Sequence, residues 1–345
     1  MIRFPWSNRT CRILAATVGL MAVSAAGAYI AGVAPLASSR LERARRDIAR
    51  GNSDSAIKLY LAHLNAEPSD QAARLELGQL LKPTDASASL AILQEIPAEV
   101  AEYPQAIWHI AHIATAGKRD ILAEDALLKL NELRPNDAGV SLSLAELYYR
   151  TERFTEALLF AKRATRLQSS RAQSWLLLAE VLDHLNRPGE MLQPLQEAVK
   201  LDADLYAAHA NLAYANYVSG QLDEAKTEAS WCLQRHPNDI VVRRWLAMIL
   251  RDGGEHDAAF QQVNLALEKS PGDVECCIIA ADLLLFRRDA QQAYDSLKPL
   301  YPMHADRRDF LGSLARAAAM SGRREESRRY QQEIIQLIKQ GPVPN

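Results

Sequence analysis

The chain has 345 residues, 48% hydrophobic and 24% charged, a balance that excludes a disordered chain. Its 56 alanines and 6% aromatics favour helices packed through small side chains over a sheet-rich core. The formal net charge is −2, and Arg3, Arg9 and Arg12 add three positive charges to the first twelve residues, so the remainder stands at −5 and lacks the basic footprint of a nucleic-acid binder.

Residues 13–39 carry no charge and lie between Arg12 and Arg40. Residues 13–33 reach the ~20 apolar positions that a bilayer-spanning helix needs. A cleaved signal peptide competes with an anchor, with its apolar region at 13–23 and small residues Ala26, Gly27 and Ala28 at a usable cleavage site. The sequence thus divides into a basic tail at 1–12, an anchor or signal peptide at 13–36, a repetitive body at 37–341 and a short tail at 342–345. The arginines of the first tail should stay in the cytoplasm, leaving the body extracytoplasmic, in a periplasm. Arg40, Arg43, Arg45, Arg46 and Arg50 pull the other way and favour a body facing the cytoplasm.

Beyond this segment the chain repeats. Small residues recur at Ala44, Gly78, Ala111, Ala145, Ala179, Ala213, Ala247, Ala281 and Ala315, in steps of 34, 33 and then 34 throughout. A second column falls twelve positions later, at Ala56, Leu90, Ala123, Ala157, Met191, Ala225, Ala259, Ala293 and Ser327. Gly51, Gly220, Gly254 and Gly322 share a turn column, and Pro68, Pro135, Pro237 and Pro271 share another near the end of the unit. The pattern predicts a helical hairpin stacked on copies of itself. The first small residue lets the leading helix approach its neighbour, and the second lets the trailing helix cross it. Glycine turns the chain and proline ends the trailing helix. One hairpin cannot bury its own apolar face, so neighbours must stack.

Nine units begin near Ala37, Gln71, Pro104, Ala138, Ala172, Tyr206, Ile240, Val274 and Arg308. The first has Arg43 before its small residue, where most others have leucine or isoleucine, so its leading helix packs poorly or continues from the membrane segment. The second has Lys82, Pro83, Thr84 and Asp85 at its turn and Pro97 early, and should be short. Pro194 and Pro299 fall inside trailing helices and should kink or shorten them. The last unit carries the polar run 323–329, which suits a solubilising cap. Its stripe Tyr330, Ile334, Leu337 and Ile338 should pack inward and leaves self-association through this repeat open.

Chemistry-bearing motifs are absent: no phosphate-binding glycine loop, no G-x-S-x-G and no H-E-x-x-H. No catalytic residue, metal site or cofactor is therefore expected. Cys11, Cys232, Cys276 and Cys277 are too few and too irregular for a disulfide scaffold or zinc site. Cys276 and Cys277 could form a redox pair, but packing in a leading helix is the favoured reading. His109 and His112 lie three apart on one helix, yet no third ligand stands at a compatible spacing.

These columns resemble the tetratricopeptide repeat, whose pattern places Trp, Leu-Gly, Tyr, Gly, Ala and Pro in a 34-residue frame. The match includes Trp175, Leu178 and Ala179. It also includes Leu144, Ala145, Tyr148, Phe154, Ala157 and Ala164 at 138–171, and Asn211, Leu212, Ala213, Ala215, Gly220, Ala225 and Pro237 at 206–239. The resemblance implies an all-α, right-handed superhelical solenoid of about nine stacked helix–turn–helix repeats. It implies a non-enzymatic scaffold that binds a peptide or helix of a partner protein in a concave groove. In this family the groove positions are the second, fifth, ninth and twelfth places of each leading helix. Here they give Trp108, Tyr149, Leu176, Tyr214, Tyr217, Arg244, Met248 and Arg251 as candidate contacts, although some of these can instead pack against neighbouring helices. The family's lysine–asparagine carboxylate clamp is missing from the fifth and ninth places. A cytoplasm-facing, membrane-anchored accessory subunit of an enzyme complex is the alternative. An RNA-binding repeat of 35 residues is disfavoured by the step of 34 and the acidic body.

Overall fold

The computed structural model describes residues 33–340, with side chains from Arg40 to Lys339. The tail at 1–12, the apolar part of the anchor or signal segment and the tail at 342–345 lie outside the described residues. Among the described residues no helix is long and apolar enough to cross a membrane, and the secondary structure is helical without strands.

The chain forms two compact units, which divide at Thr151 and Glu152. The first holds α1 (Val33–Ala49), α2 (Ser53–Ala66), α3 (Gln71–Leu81), α4 (Ala86–Gln94), α5 (Tyr103–Ala116), α6 (Asp120–Leu133) and α7 (Ala138–Arg150). The second holds α8 (Phe154–Leu167), α9 (Ala172–His184), α10 (Leu192–Leu201), α11 (Tyr206–Val218), α12 (Leu222–Arg235), α13 (Ile240–Asp252), α14 (His256–Lys269), α15 (Val274–Phe286), α16 (Ala290–Leu297), the short α17 (Tyr301–His304), α18 (Arg308–Met320) and α19 (Arg324–Gln340). Within each unit a helix packs on the next in sequence, and leading helices also touch leading helices, as α3 does α5 and α13 does α15.

Every residue of the first small column is buried, Gly78 included. Every residue of the second is buried too, from Ala56 to Ser327. These are the positions where helix surfaces meet, and a short side chain there brings backbones within packing distance. Gly78 is the tightest case: a Cβ would stand 2.5 Å from Cδ2 of buried Leu93 on α4. The same hairpin carries Leu90 where most others have alanine, so bulk on the trailing helix is matched by its absence on the leading one.

The turns obey one geometry. The glycines at 51, 220, 254 and 322 have φ between +76° and +86°. Lys118, Glu152, Asn186 and Arg288 occupy the same column in other repeats and also have positive φ, from +52° to +65°. The following amide donates to the carbonyl five residues back, as from Asn52 to Asp47, Arg119 to Ala114, Gln221 to Asn216 and Glu255 to Leu250. This is a Schellman ending, which demands a left-handed residue whatever its side chain. Asp85 departs from the rule with φ −146°, and its side chain instead caps α4 by accepting from the amides of Ser87 and Ala88.

Between hairpins, stop and start are three residues apart. Pro68, Pro135, Pro237 and Pro271 each stand two residues past a trailing helix, and Asp70, Asp137, Asp239 and Asp273 each cap the next leading helix through a side-chain oxygen. A side chain one turn into the leading helix then reaches back to the linker. Arg74 donates to the Pro68 carbonyl, Trp175 to that of Ser169 and Arg243 to that of Pro237, while a ring nitrogen of His209 meets that of Ala203. The tryptophan of the repeat pattern is thus one of several donors that close this turn.

The irregular units are short. α4 has 9 residues where α2 and α6 have 14. Pro194 lies in the first turn of α10, which has 10 residues. Pro299 falls in a 3-10 turn at Lys298–Leu300 that ends α16. Arg43 is exposed, yet α1 packs on α2 through Ala44, with Leu41 beside it. In α19 Tyr330 is buried and Ile334 and Leu337 are partly so. Ile338, expected to face inward, is 58% exposed. The cause is length: α19 has 17 residues against 13 in α18, so its last turn overhangs the helix it packs on.

Three measurements test this packing. Ala213→Leu on buried α11 should destabilise the protein by about 2 kcal/mol, while Ala319→Leu on the exposed side of α18 should stay within about 0.5 kcal/mol in urea unfolding. Arg288→Gly and Lys118→Gly should each stabilise by about 0.5 kcal/mol, since left-handed backbone costs a side-chain-bearing residue ~1–2 kcal/mol and glycine's extra entropy returns part of that. The third concerns Glu326, whose carboxylate accepts from Tyr294 at 2.6 Å, Lys298 at 2.9 Å and Tyr330 at 3.2 Å. The Tyr294 bond first, and then Lys298, pull its carboxyl down to about 2 from its ordinary 4.5. A depressed folded value means stabilisation that is full above about 4.5 and lost as pH falls through about 2. The melting-temperature gap between wild type and Glu326→Gln should therefore narrow over that range.

Candidate functional site

Leading helices are joined along their seams by a recurring offset. At four of the described seams the ninth place of one meets the sixth place of the next. In the first unit Arg45 donates twice to Glu76, at 3.0 and 2.6 Å, and the Gln79 amide lies 2.9 Å from Nε2 of His109. In the second unit Tyr214 meets Trp245 with ring centroids 5.5 Å apart and 32° between planes, and Ser313 donates to Asp282 at 3.0 Å. The side chains differ while the geometry stays fixed.

On the first unit the face is dominated by Trp108, 44% exposed. His109 meets its ring edge-on at 4.9 Å, and His112 lies at 5.6 Å. Burial first, with Lys82 and His112 adding to it, pushes the His109 ring below its ordinary value, so it is neutral near pH 7. Among the described residues no group of three His, Cys, Asp or Glu could hold a metal ion. Between α5, α6 and α7 a pocket of about 370 Å³ opens beside Trp108 and His112, with Ala111, Leu127 and Leu130 among its walls and Asp137, Ser143 and Glu146 also lining it. Tyr149, at the twelfth place of α7, is half-buried.

On the second unit the half-buried residues are Tyr214, Tyr217, Arg244, Trp245, Met248 and Arg251. The Tyr217 hydroxyl donates to Asp252 at 2.7 Å, and Arg251 donates to the other oxygen of that carboxylate at 2.8 Å. Burial and then the Asp252 bond push the Tyr217 phenol up to about 12. Burial opposes the Asp252 charge, but the bonds from Arg251 and Tyr217 outweigh it and keep its carboxyl below the ordinary value. Arg244 pairs with Glu275 at 3.1 Å and lies 3.7 Å from Asp273, and Arg307 holds Glu275 from the other side at 2.8 Å. Met248 packs on the core of this unit. Glu180, at the ninth place of α9, is half-buried, and burial raises its carboxyl.

Leu176, expected among the groove contacts, is only 3% exposed and lies in the core. The fifth place stands three residues before the small column, on the same helix face, so the packing that covers the small residue covers it too. Leu142 and Leu75 share this burial. The burial is not uniform along this column: Trp108 is 44% exposed, and Arg244 and Ile278 are half-buried. Trp245 is a residue that the second-fifth-ninth-twelfth rule passes over, since it stands at a sixth place. The offset of 31 between it and Tyr214, shared by Arg45 with Glu76, is the signal that points to it.

Cys276 and Cys277 are buried, and desolvation raises both thiols, that of Cys276 to about 12. Cys232 is enclosed in the same way, with its thiol pushed up to about 12. Thiols held so far up remain protonated and are poor nucleophiles, so these three serve as small core residues.

Comparison with known proteins agrees with this geometry. The tetratricopeptide-repeat family model matches residues 122–171, 142–206 and 210–274. Tetratricopeptide repeat protein 21 homologs of Caenorhabditis briggsae and Caenorhabditis elegans are 28% and 25% identical over 139 residues. Those alignments take in 40% of this chain and only 10% of each relative's length. Among solved structures, a chain of the APC/C hetero-tetramer Cut9–Hcn1 has a TM-score of 0.51 at 10% identity, over 89% of this chain and 74% of that one; a likeness at this identity concerns the fold alone. The sequence match to the tetratricopeptide-repeat model thus lies within residues 122–274, and helical hairpins with the same buried columns continue on both sides of it.

Proposed function

We propose that this protein is a non-enzymatic scaffold that takes a peptide or helix of a partner protein on its leading-helix faces, and that residues 13–36 tether it to a membrane or export it across one. The observation that carries the first part is the half-buried set Tyr214, Trp245, Tyr217 and Met248, flanked by Arg244 and Arg251. Aromatic rings and arginines supply most of the energy at protein interfaces, and rings already held in place lose less entropy on binding. Tyr214 is held by Trp245, and Tyr217 by its bond to Asp252. The tether rests on the uncharged stretch at 13–39.

The double variant Tyr214→Ala with Tyr217→Ala should weaken capture of the partner, recovered by crosslinking in the native host, by tenfold or more on the usual scale of interface anchors. Its helical circular dichroism should be kept. Unfolding of the double variant would make these residues core and remove the main support. The arginines Arg40, Arg43, Arg45, Arg46 and Arg50 favour the cytoplasm-facing accessory subunit as a second reading. A periplasm-active reporter fused at the C-terminus should be active under the first reading and silent under the second.

A further inference from the structure

α1 is a basic helix on an acidic chain. Residues 40–50 hold five arginines against Glu42 and Asp47, a net charge of +3. With +3 also in the first twelve residues and −2 overall, residues 51–345 stand at −8. The arginines are not equivalent. Arg45 turns to the fold and donates to Glu76 on α3. Arg43, Arg46 and Arg50 are exposed, and among the described residues none of the three pairs with a carboxylate. Arg46 reaches only the backbone carbonyl of Glu42, at 3.3 Å, while Asp47 is taken by the Ser55 hydroxyl at 2.6 Å.

These three arginines form a stripe. Positions 43, 46 and 50 stand at i, i+3 and i+7, which share one helix face. The amide of Arg50 still bonds to the Arg46 carbonyl, so the helical register carries through to it. Leu41 and Ala44 lie on the other side, in the core shared with α2. From Arg43 to Arg50 the stripe is ~10 Å long. A charged surface is felt over only about 8 Å at physiological salt. A helix standing on end would hold Arg50 a full reach further out than Arg43, whereas a helix lying flat brings all three into the field. Pro35 stands in the first turn of α1, where no backbone amide is required, so the helix can start there at an angle to what precedes it.

The neighbouring sequence names the surface. The stripe opens four residues after the uncharged stretch 13–39 ends. Basic side chains beside an apolar segment are drawn to acidic phospholipids by about fivefold in equilibrium per arginine. The same surface repels the net −8 of residues 51–345, which confines the contact to α1. We propose that α1 lies along an anionic lipid surface, with Arg43, Arg46 and Arg50 among acidic phospholipid headgroups. The proposal rests on the tether reading of residues 13–36 and adds to it the chemistry of the surface that α1 meets.

The test uses the full chain with Cys11→Ser and a bimane fluorophore on the thiol of Ala49→Cys, an exposed place beside the stripe. It is reconstituted into vesicles of phosphatidylcholine, alone or with one third phosphatidylglycerol, each carrying a trace of lipid with a nitroxide quencher on its headgroup. Quenching should be about threefold greater or more in the acidic vesicles, and should fall to the neutral level at about 0.5 M salt, where the field reaches only ~4 Å. Arg43→Gln, Arg46→Gln and Arg50→Gln together should also lower it to the neutral level, since three arginines at about fivefold each amount to about a hundredfold in docking. Arg324→Gln with Arg328→Gln, at exposed arginines of α19, should change nothing. Equal quenching in both vesicles overturns the proposal, as does wild-type quenching in the triple variant or an equal loss in the α19 variant. So does tighter binding of a short DNA duplex than of acidic vesicles at equal phosphate, which would assign the stripe to nucleic acid. Failure of the tether is a separate result: after a high-salt wash the chain would float with neither vesicle. Quenching is then read with acidic vesicles in excess, and its absence there overturns the proposal as well.

Discussion

The structure depends on one steric constraint: two helices can lie backbone to backbone only where neither puts a bulky side chain between them. Each repeat meets it twice, once at the residue running from Ala44 to Ala315 and once twelve positions later, and all of these are buried. The rest follows. Close helices need a tight turn, and the turn needs a left-handed residue. The trailing helix must stop before the next begins, which proline and aspartate accomplish within three residues. Where the constraint is met differently, as at Gly78 with Leu90 and Leu93, the hairpin still closes because lost bulk on one helix balances gained bulk on the other.

A backbone repeated in this way frees the side chains at the seams to vary. The ninth-to-sixth contact is an ion pair at Arg45 and Glu76, an aromatic pair at Tyr214 and Trp245, and a hydroxyl–carboxylate bond at Ser313 and Asp282. Because contacts run mainly between neighbouring helices within each unit, a change at one seam is felt locally. Such an architecture can carry distinct recognition surfaces along its length without disturbing its core.

Much of the fold was legible because it rests on presence at a fixed interval. The small columns, the four turn glycines and the four prolines are visible as letters in a frame of 34, and Pro194 and Pro299 shorten their helices as a missing amide requires. The turn residues Lys118, Glu152, Asn186 and Arg288 were not legible, because the Schellman bond pattern imposes positive φ without any mark in the side chain. Leu176 and Ile338 went the wrong way for a shared reason: exposure depends on what the neighbouring helix covers, and helical spacing on one helix does not encode the length or register of the next. The pocket beside Trp108 was hidden for a third reason. It is lined by Gly139 and Ser143, and small residues at unremarked places carry no signal until the seam register is known.

The central claim is that the small column lies at closed helix contacts in all nine repeats. Its most direct test is cysteine accessibility in the native state. In a chain with Cys11 replaced by serine, each of the eight alanines of the column is changed singly to cysteine, a substitution of little added bulk, while Gly78, where a Cβ would meet Leu93, is left as it is, and thiol labelling rates are compared with those of an exposed control, Ala319→Cys. All eight alanine sites should label at least a hundredfold more slowly than the control, at rates set by local opening of the helix pair. Labelling of several column sites at the control's rate in folded protein would contradict the account.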